Sequence, residues 1–291
     1  MSNSPLGSNG SLFRIDPLAR VSSVTLATMD LEAMVRFYVD IVGLRVLEGS
    51  PGITYLGVDT SPVVTLVAGS TRKPPSRATG LFHLAILLPS HRLLGQWLEH
   101  LMQSRHPLEG AGDHLVSEAL YLSDPEGNGI EVYCDRPRDT WEYDQHGLRM
   151  VTHPVDLDGL LRDASAGPFR GLPEGSRLGH IHLKVDDVSN AISFYRDLLG
   201  FDLMTTFPGA SFLSAGGYHH HIGVNAWQSR GAPPAPSGST GLHSFGILLP
   251  SDTARRAVVA QLASADYPVE ISGASYVVQD PAGSRVELSL A

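Results

Sequence analysis

The chain repeats one sequence pattern four times, and this repetition constrains its fold more than any other feature. Three stretches of the first half return in the second half: FYVDIVGL at 37–44 as FYRDLLGF at 194–201, GLFHLAILLP at 80–89 as GLHSFGILLP at 241–250, and DPEGNGIE at 124–131 as DPAGSRVE at 280–287. A repeat of this length is a whole supersecondary unit, which cannot bury its apolar face alone. The units must therefore pair, and functional residues are expected where paired units face each other.

Each unit is predicted to contain one strand, one helix and three further strands. In the first unit, Asp30 is a favourable N-cap, and apolar residues between 31 and 42 fall on one face of a helix. Gly43 then supplies the residue that ends this helix, and Gly200 does the same in the third unit. The pattern predicts an α+β fold of four βαβββ units, with approximate bounds at 18–75, 78–136, 176–230 and 240–291.

The 291 residues are enough for two domains of ordinary size. Hydrophobic residues make up 42% of the chain and charged residues 18%, so a substantial core can form. The unit bounds and the linking segments predict four regions along the chain: a disordered tail at 1–17, an N-terminal domain of units one and two at 18–136, a connector at 137–175, and a C-terminal domain of units three and four at 176–291.

Charge and cysteine content narrow the range of partners and compartments. The formal net charge of −9 argues against nucleic acid or an anionic membrane as a partner. No apolar run approaches the roughly 20 residues that span a membrane, and the N-terminus lacks the pattern of a secretory signal. Cys134 is the only cysteine, so no internal disulfide can form and a cytoplasmic location is expected.

Several long motifs carry a resemblance to a known family. They are the FY-x-D-x-x-G helices, the DP-x-G-x-x-x-E turns, GHIHL at 179–183 and SAGGYHHHIG at 214–223. With the four βαβββ units, these motifs resemble the vicinal-oxygen-chelate superfamily of glyoxalase I, extradiol dioxygenases and bleomycin-resistance proteins. Within it, the chain is most similar to the Bacillus-type catechol 2,3-dioxygenases, over nearly its whole length after the tail. The resemblance implies two half-barrel pairs.

In that superfamily, metal ligands often lie in the first and last strands of a unit. His83 and His180 occupy equivalent first-strand positions of units two and three, and Glu131 lies in the last strand of unit two. Two imidazoles and one carboxylate on one side of an iron leave its other side open for substrate and oxygen. The sequence therefore predicts that His83, Glu131 and His180 bind a metal, which requires unit two to pair with unit three.

A second ligand set, from units three and four, stays open at this point. It would combine His180 with Glu287 and His243. The residue that aligns with His83 is Ser244, so His243 is one position early. A one-residue slip moves a strand side chain to the opposite face unless a bulge intervenes, which favours the first set. A lone histidine would be an ordinary strand residue, but three ligand-type residues at matching repeat positions argue against that interpretation.

The resemblance also implies roles for three further residues. Tyr121 stands where extradiol enzymes carry an active-site tyrosine, and His114 stands near the position of their substrate-binding histidine. His221 matches the catalytic histidine of the family. Strand alternation predicts that His219 and His221 share one face and that His220 points to the other.

The activity implied by this resemblance is extradiol ring cleavage. The metal would be Fe(II), with Mn(II) as the alternative, and the substrates would be a small aromatic diol and O₂. Superfamily members often associate through sheet edges, so a homo-oligomer is expected. Two other classes stay open, namely a glyoxalase-like metal-dependent isomerase or lyase and a non-catalytic binding protein of the bleomycin-resistance kind.

Overall fold

The computed structural model describes residues 13–164 and 167–291. Units one and two contain, in chain order, β1 Arg20–Thr28, α1 Leu31–Phe37 with a π-helical turn at Tyr38–Val42, β2 Arg45–Ser50, β3 Ile53–Val58, β4 Ser61–Ala68, β5 Gly80–Leu88, α2 His91–Ser104, β6 Gly110–Asp113, β7 Ser117–Ser123 and β8 Gly129–Asp135.

The connector and the last two units follow. They contain a 3₁₀ turn at Arg138–Thr140, β9 Tyr143–Asp144, β10 Gly147–Leu148, α3 Leu157–Asp163, β11 Arg177–Lys184, α4 Val188–Ile192 with a π-helical turn at Ser193–Leu198, β12 Asp202–Phe207, β13 Ala210–Ser214, β14 Ile222–Asn225, β15 Gly241–Leu249, α5 Asp252–Ser264, β16 Glu270–Ser272, β17 Ser275–Gln279 and β18 Arg285–Leu290.

These strands form two eight-stranded half-barrel sheets, each made from two units. The first sheet has the order β16-β17-β18-β15-β1-β4-β3-β2, and the second has the order β12-β13-β14-β11-β5-β8-β7-β6. Antiparallel pairing of β1 with β15 joins units one and four, and pairing of β5 with β11 joins units two and three. The predicted fold of four βαβββ units is confirmed, as is the pairing of unit two with unit three.

The predicted chain halves, 18–136 and 176–291, each contribute one unit to each sheet. The division at the connector therefore separates two halves of the chain, whereas each sheet contains strands from both. One large hydrophobic cluster includes buried residues from all four units. Within the described residues, no helix is both long enough and apolar enough to cross a membrane.

Backbone geometry explains the helix ends that the sequence predicted. The Asp30 side chain caps α1 by accepting a hydrogen bond from the Ala33 amide, and Gly43, at φ +95°, ends the π-helical turn. At Gly200, with φ +84°, an added Cβ would lie 2.5 Å from the Ile15 amide nitrogen. Ile15 is buried and donates its amide hydrogen to the Gly200 carbonyl at 2.9 Å.

Of the tail predicted at 1–17, residues 1–12 lie outside the described residues. The remaining part is not tail-like, because Ile15 belongs to the core cluster and is hydrogen-bonded to the third unit. The boundary at 17 is therefore corrected: the packed chain begins by Ile15. A short apolar segment of this kind carries no periodic pattern, so the sequence alone offered no signal for its docking.

The repeated FY and DP motifs contact each other and join the two sheets. Tyr38, in unit one, donates to Asp124 of unit two at 3.1 Å, and Tyr195, in unit three, donates to Asp280 of unit four at 2.7 Å. All four residues are buried. Burial and the neighbouring carboxylate raise the pKa of each tyrosine well above its usual value, so each hydroxyl keeps its proton and remains a donor.

The connector packs onto unit two. Asp113 in β6 and His153 exchange backbone hydrogen bonds of 2.9 and 2.8 Å, which brings residues 150–152 close to the second sheet. The helices α2 and α3 approach closely at Gly95, where an added Cβ would lie 2.1 Å from the Leu160 carbonyl oxygen. The connector is therefore part of the wall around the second sheet.

Candidate metal centre and substrate cavity

Three adjacent strands of the second sheet bring the predicted metal ligands together. Ala85, in the central strand β5, is the register partner of Glu131 in the parallel strand β8 and of His180 in the antiparallel strand β11. His83 lies two residues before Ala85 and so projects from the same face. The small side chain of Ala85 leaves room above the strand, into which the three longer side chains converge.

The potential ligand atoms are close to one another. His83 Nε2 lies 3.0 Å from Glu131 Oε2, His180 Nε2 lies 3.2 Å from the same oxygen, and the two nitrogens are 3.4 Å apart. All three residues are buried, and their ligand atoms form a cluster that could hold one metal ion.

Electrostatics also suit a divalent cation. Burial lowers the pKa of His180 to about 4, despite the nearby Glu131, so its imidazole is neutral near pH 7. Burial alone would raise the pKa of Glu131, but its interactions with His180 and His83 hold it well below its usual range. A neutral imidazole and an anionic carboxylate are the protonation states that metal binding requires. The residues therefore fit the metal that the family resemblance implies.

The alternative ligand set is not assembled. His243 and Glu287 lie in β15 and β18 of the first sheet, whereas His180 lies in β11 of the second. His243 is exposed and sits where the pairing of β1 with β15 shifts register between Thr25 and Leu26. Pairing of unit two with unit three therefore brings together only the first of the two predicted sets.

A cavity of about 410 Å³ lies beside the three ligands. Its wall consists mainly of aromatic, apolar and histidine side chains: Phe82, His83, His114, Ser117, Tyr121, Glu131, Met150, Val151, Thr152, His182, Phe207, Phe212, His220 and Trp227. Neither lysine nor arginine occurs among the described residues of this wall. The cavity therefore suits an uncharged aromatic molecule that can reach the metal ligands.

Tyr121 and His114 both line this cavity and form a hydrogen-bonded pair. Tyr121 is the register partner of Glu131, and its hydroxyl lies 2.7 Å from His114 Nε2. His114 Nδ1 lies 2.7 Å from the Val151 carbonyl, which can only accept, so in a neutral ring Nδ1 carries the proton and Nε2 accepts from Tyr121. Burial, and then Glu131, raise the pKa of Tyr121 well above its usual value, so its hydroxyl remains protonated.

The three consecutive histidines have different surroundings. His220 lines the cavity, and its ring centroid lies 4.0 Å from that of His180. His221 is absent from the described residues of the cavity wall. Its ring lies against Tyr218, and its Nδ1 accepts a hydrogen bond from the Ala215 amide at 3.1 Å. The histidine that faces the cavity is thus His220, one position before the predicted His221.

This one-residue difference has a backbone cause. Gly223, in β14, faces His182, because an added Cβ would lie 3.0 Å from its ring. Strict alternation from Gly223 would bring side chain 221 to the same face. The chain bends at His219 and His221 before β14 begins at Ile222, so the alternation does not extend back to these residues. His220 enters the cavity instead.

Other residues of the cavity wall were not identified from the sequence as substrate contacts. His182 lies two residues after His180 in β11; it is part of the wall and accepts a hydrogen bond from the Asn225 side-chain amide at 3.1 Å. Burial lowers the pKa of His182 well below its usual value, so its ring is neutral. Residues 150–152 of the connector carry no motif, and only the docked connector reveals that they line the cavity.

Comparison with known proteins relates the whole chain to proteins of known family. The family model described as the Glyoxalase/Bleomycin resistance protein/Dioxygenase superfamily matches residues 20–132 and 177–288. Catechol-2,3-dioxygenase of Bacillus subtilis (strain 168) is 42% identical over 262 residues, which cover 88% of this chain and 92% of that protein. Biphenyl-2,3-diol 1,2-dioxygenase 3 of Rhodococcus globerulus is 28% identical over 150 residues, which cover 47% of this chain and 75% of that protein.

Solved structures support the fold. Glyoxalase I from Zea mays superposes with a TM-score of 0.58 and 15% identity, covering 93% of this chain and 92% of that chain. A Bacillus subtilis protein superposes with a TM-score of 0.65 and 13% identity, covering 93% of this chain and 84% of that chain. At these identities the similarity concerns the fold alone.

Proposed function

The chain belongs to the glyoxalase/bleomycin resistance protein/dioxygenase superfamily, and on that premise we propose that it is an extradiol ring-cleaving dioxygenase that uses a catechol, O₂ and non-haem Fe(II). The observation that carries this proposal is the convergence of His83, Glu131 and His180 beside an aromatic cavity. Two histidines and one carboxylate with open positions are typical of non-haem Fe(II) oxygenases. Mn(II) is the alternative metal. Assembly into a homo-oligomer and a cytoplasmic location stay predictions.

Bound by these three residues, the metal would supply positive charge that lowers the cost of deprotonating two adjacent hydroxyls. Two side chains of the cavity could assist this deprotonation and hold the charged substrate. His220 is the proposed base, because it lines the cavity beside His180 and could accept a proton from a bound hydroxyl. Burial lowers its pKa well below its usual value, so its ring is neutral. Tyr121 keeps its proton, and its hydroxyl, which donates to His114 Nε2 in this structure, could rotate to donate to an anionic diol oxygen instead.

The cavity wall also indicates the substrate class. A dry cavity of about 150 Å³ is enough for benzene, so 410 Å³ accommodates a catechol with an apolar substituent. A carboxylate on the ring would find no lysine or arginine among the described residues of this wall. Burial of an unpaired charge is strongly unfavourable. We therefore expect methyl- or aryl-substituted catechols to be preferred over dihydroxybenzoates.

The proposal is tested by anaerobic loading with Fe(II) or Mn(II), metal analysis, and exposure to O₂ with catechol, 4-methylcatechol or 3,4-dihydroxybenzoate. Formation of the yellow semialdehyde product from the first two, with little from the third, supports it. His83→Ala is expected to abolish iron binding, whereas the matched variant His243→Ala, in the first sheet, should retain it. A protein that binds iron but opens none of these rings contradicts the proposed activity.

A further inference from the structure

We propose that Asp135 and His219 are positioning residues that fix the tautomer of His220, so that the Nε2 lone pair of His220 is available in the cavity. The kinetic consequence of this inference rests on the proposed function, whereas the tautomer itself does not. The three residues form one hydrogen-bonded chain that ends at the cavity wall. Neither Asp135 nor His219 lies among the described residues that line the cavity, so both would act through His220.

The contacts are short and the histidines are buried. His219 Nε2 lies 3.0 Å from Asp135 Oδ1, and His219 Nδ1 lies 2.8 Å from His220 Nδ1. His219 is completely buried and His220 is 6% exposed. Asp135 ends strand β8, and its side chain is 28% exposed, so water can stabilise its charge.

The donor and acceptor properties of Asp135, His219 and His220 fix which nitrogen carries the proton in each hydrogen bond. An ionised carboxylate can only accept, so His219 Nε2 must carry the proton that faces Asp135. In the neutral ring, His219 Nδ1 is then an acceptor, and His220 Nδ1 must donate to it. His220 Nε2 is left as the unprotonated nitrogen, and among the described residues it has no hydrogen-bond partner. That nitrogen is the one that can accept a proton from a substrate.

The reverse arrangement would leave two lone pairs facing each other. If His219 carried its proton on Nδ1, its Nε2 would face the Asp135 oxygen without a hydrogen between them. In a buried site such a mismatch costs more than in water, because no solvent can compensate for the missing hydrogen bond. The Asp135 carboxylate therefore determines, through His219, which nitrogen of His220 carries the proton.

Two tyrosines support the position of the carboxylate. Tyr218 donates to Asp135 Oδ1 at 3.0 Å, and its oxygen lies 2.8 Å from the Tyr133 hydroxyl. Tyr133 fits because residue 179 is glycine: an added Cβ there would lie 1.9 Å from its hydroxyl oxygen. Trp141 packs edge-on against the His219 ring at 5.6 Å. These contacts hold the Asp135 and His219 side chains in one arrangement.

The test replaces Asp135 by leucine, which is similar in shape but has no oxygen to accept the hydrogen bonds of Tyr218 and His219. Full-length, metal-free protein labelled with ¹⁵N-histidine is studied by long-range ¹H–¹⁵N correlation, and the His220 signals are identified by their loss in His220→Gln. In the wild type, we expect His220 Nε2 to be unprotonated. In Asp135→Leu, nothing holds the His219 proton on Nε2, so a substantial fraction of His220 should carry its proton on Nε2. Tyr218→Phe removes a hydrogen bond to Asp135 but not the carboxylate, so it should retain the wild-type tautomer.

Activity gives the second measurement. With iron loaded to equal content, kcat for the preferred catechol should fall in Asp135→Leu in proportion to the fraction of His220 that carries its proton on Nε2, about tenfold if about a tenth of the rings keep Nε2 unprotonated, with KM changed little, because a wrongly protonated base is present but cannot act. A wild-type His220 protonated on Nε2, or an unchanged tautomer in Asp135→Leu, overturns the inference. Absence of ring cleavage in the wild type, together with the expected tautomers, would instead contradict only the proposed activity.

Discussion

Replacing His220 and His221 separately by glutamine tests which of them is the catalytic base. The structure points to His220, and the sequence motif points to His221. Glutamine is similar in length to histidine and keeps a polar end, but it cannot accept a proton near neutral pH. His220 lines the cavity and touches the His180 ring, whereas His221 lies outside the wall against Tyr218. The two variants therefore change neighbouring residues with different access to the substrate.

The expected magnitudes follow from these positions. A general base typically contributes about 10²–10⁴-fold, so His220→Gln should lower kcat by that factor. In His221→Gln, the amide oxygen can replace Nδ1 as the acceptor for the Ala215 amide, a bond worth about 1 kcal/mol to stability. Its kcat should stay within about threefold of the wild type, which corresponds to less than 1 kcal/mol in the barrier.

The assay follows the yellow product at saturating catechol and O₂, with iron content measured for each preparation and rates divided by bound iron. Both proteins must be studied well below their unfolding midpoints, which circular dichroism provides. Equal losses in the two variants, or a larger loss in His221→Gln at equal iron content, would refute the assignment of the base to His220 and restore the motif-based assignment.

Three further predictions concern other parts of the molecule. Tyr121→Phe should lower kcat/KM about ten- to a hundredfold, because a hydrogen bond to a charged oxygen contributes roughly 1.5–3 kcal/mol. The control Tyr276→Phe, in the first sheet, should change kcat/KM little, and equal losses in the two variants would contradict the location of the site. Tyr195→Phe leaves buried Asp280 without a hydroxyl donor and should lower the free energy of unfolding by about 1–3 kcal/mol in urea, against less than about 1 kcal/mol for Tyr267→Phe, whose partly buried side chain donates to the Gln279 carbonyl. Burial lowers the pKa of His221 from 6.5 to about 3 in the folded state. Between these pH values the unfolded state binds more protons than the folded state, so the free energy of unfolding falls as pH falls, by about 1.4 kcal/mol per pH unit for this group. Urea unfolding of metal-free protein between pH 7 and pH 5 should therefore be less pH-dependent in His221→Gln by about 2 kcal/mol; an unchanged dependence would contradict the depressed pKa.

The four-unit fold and the convergence of His83, Glu131 and His180 could be predicted from the sequence because both depend on repetition. Equivalent positions in repeated units occupy equivalent places in the fold, so His83 and His180 had to lie in matching strands once units two and three were paired. Strand alternation separated them from His243, which the structure places in the other sheet. The helix ends at Gly43 and Gly200 were also local, because a left-handed residue is required there.

The rest of the site was decided only by the tertiary structure. A bend before β14 moved His220 into the cavity, and no local pattern marks a bend that shifts the alternation by one residue. Asp135 reaches His219 across 84 positions of sequence, and residues 150–152 join the wall because the connector docks on β6. Sequence periodicity reports which face of an element is apolar. It does not report which distant segment covers that face, because that outcome depends on the packing of the whole chain.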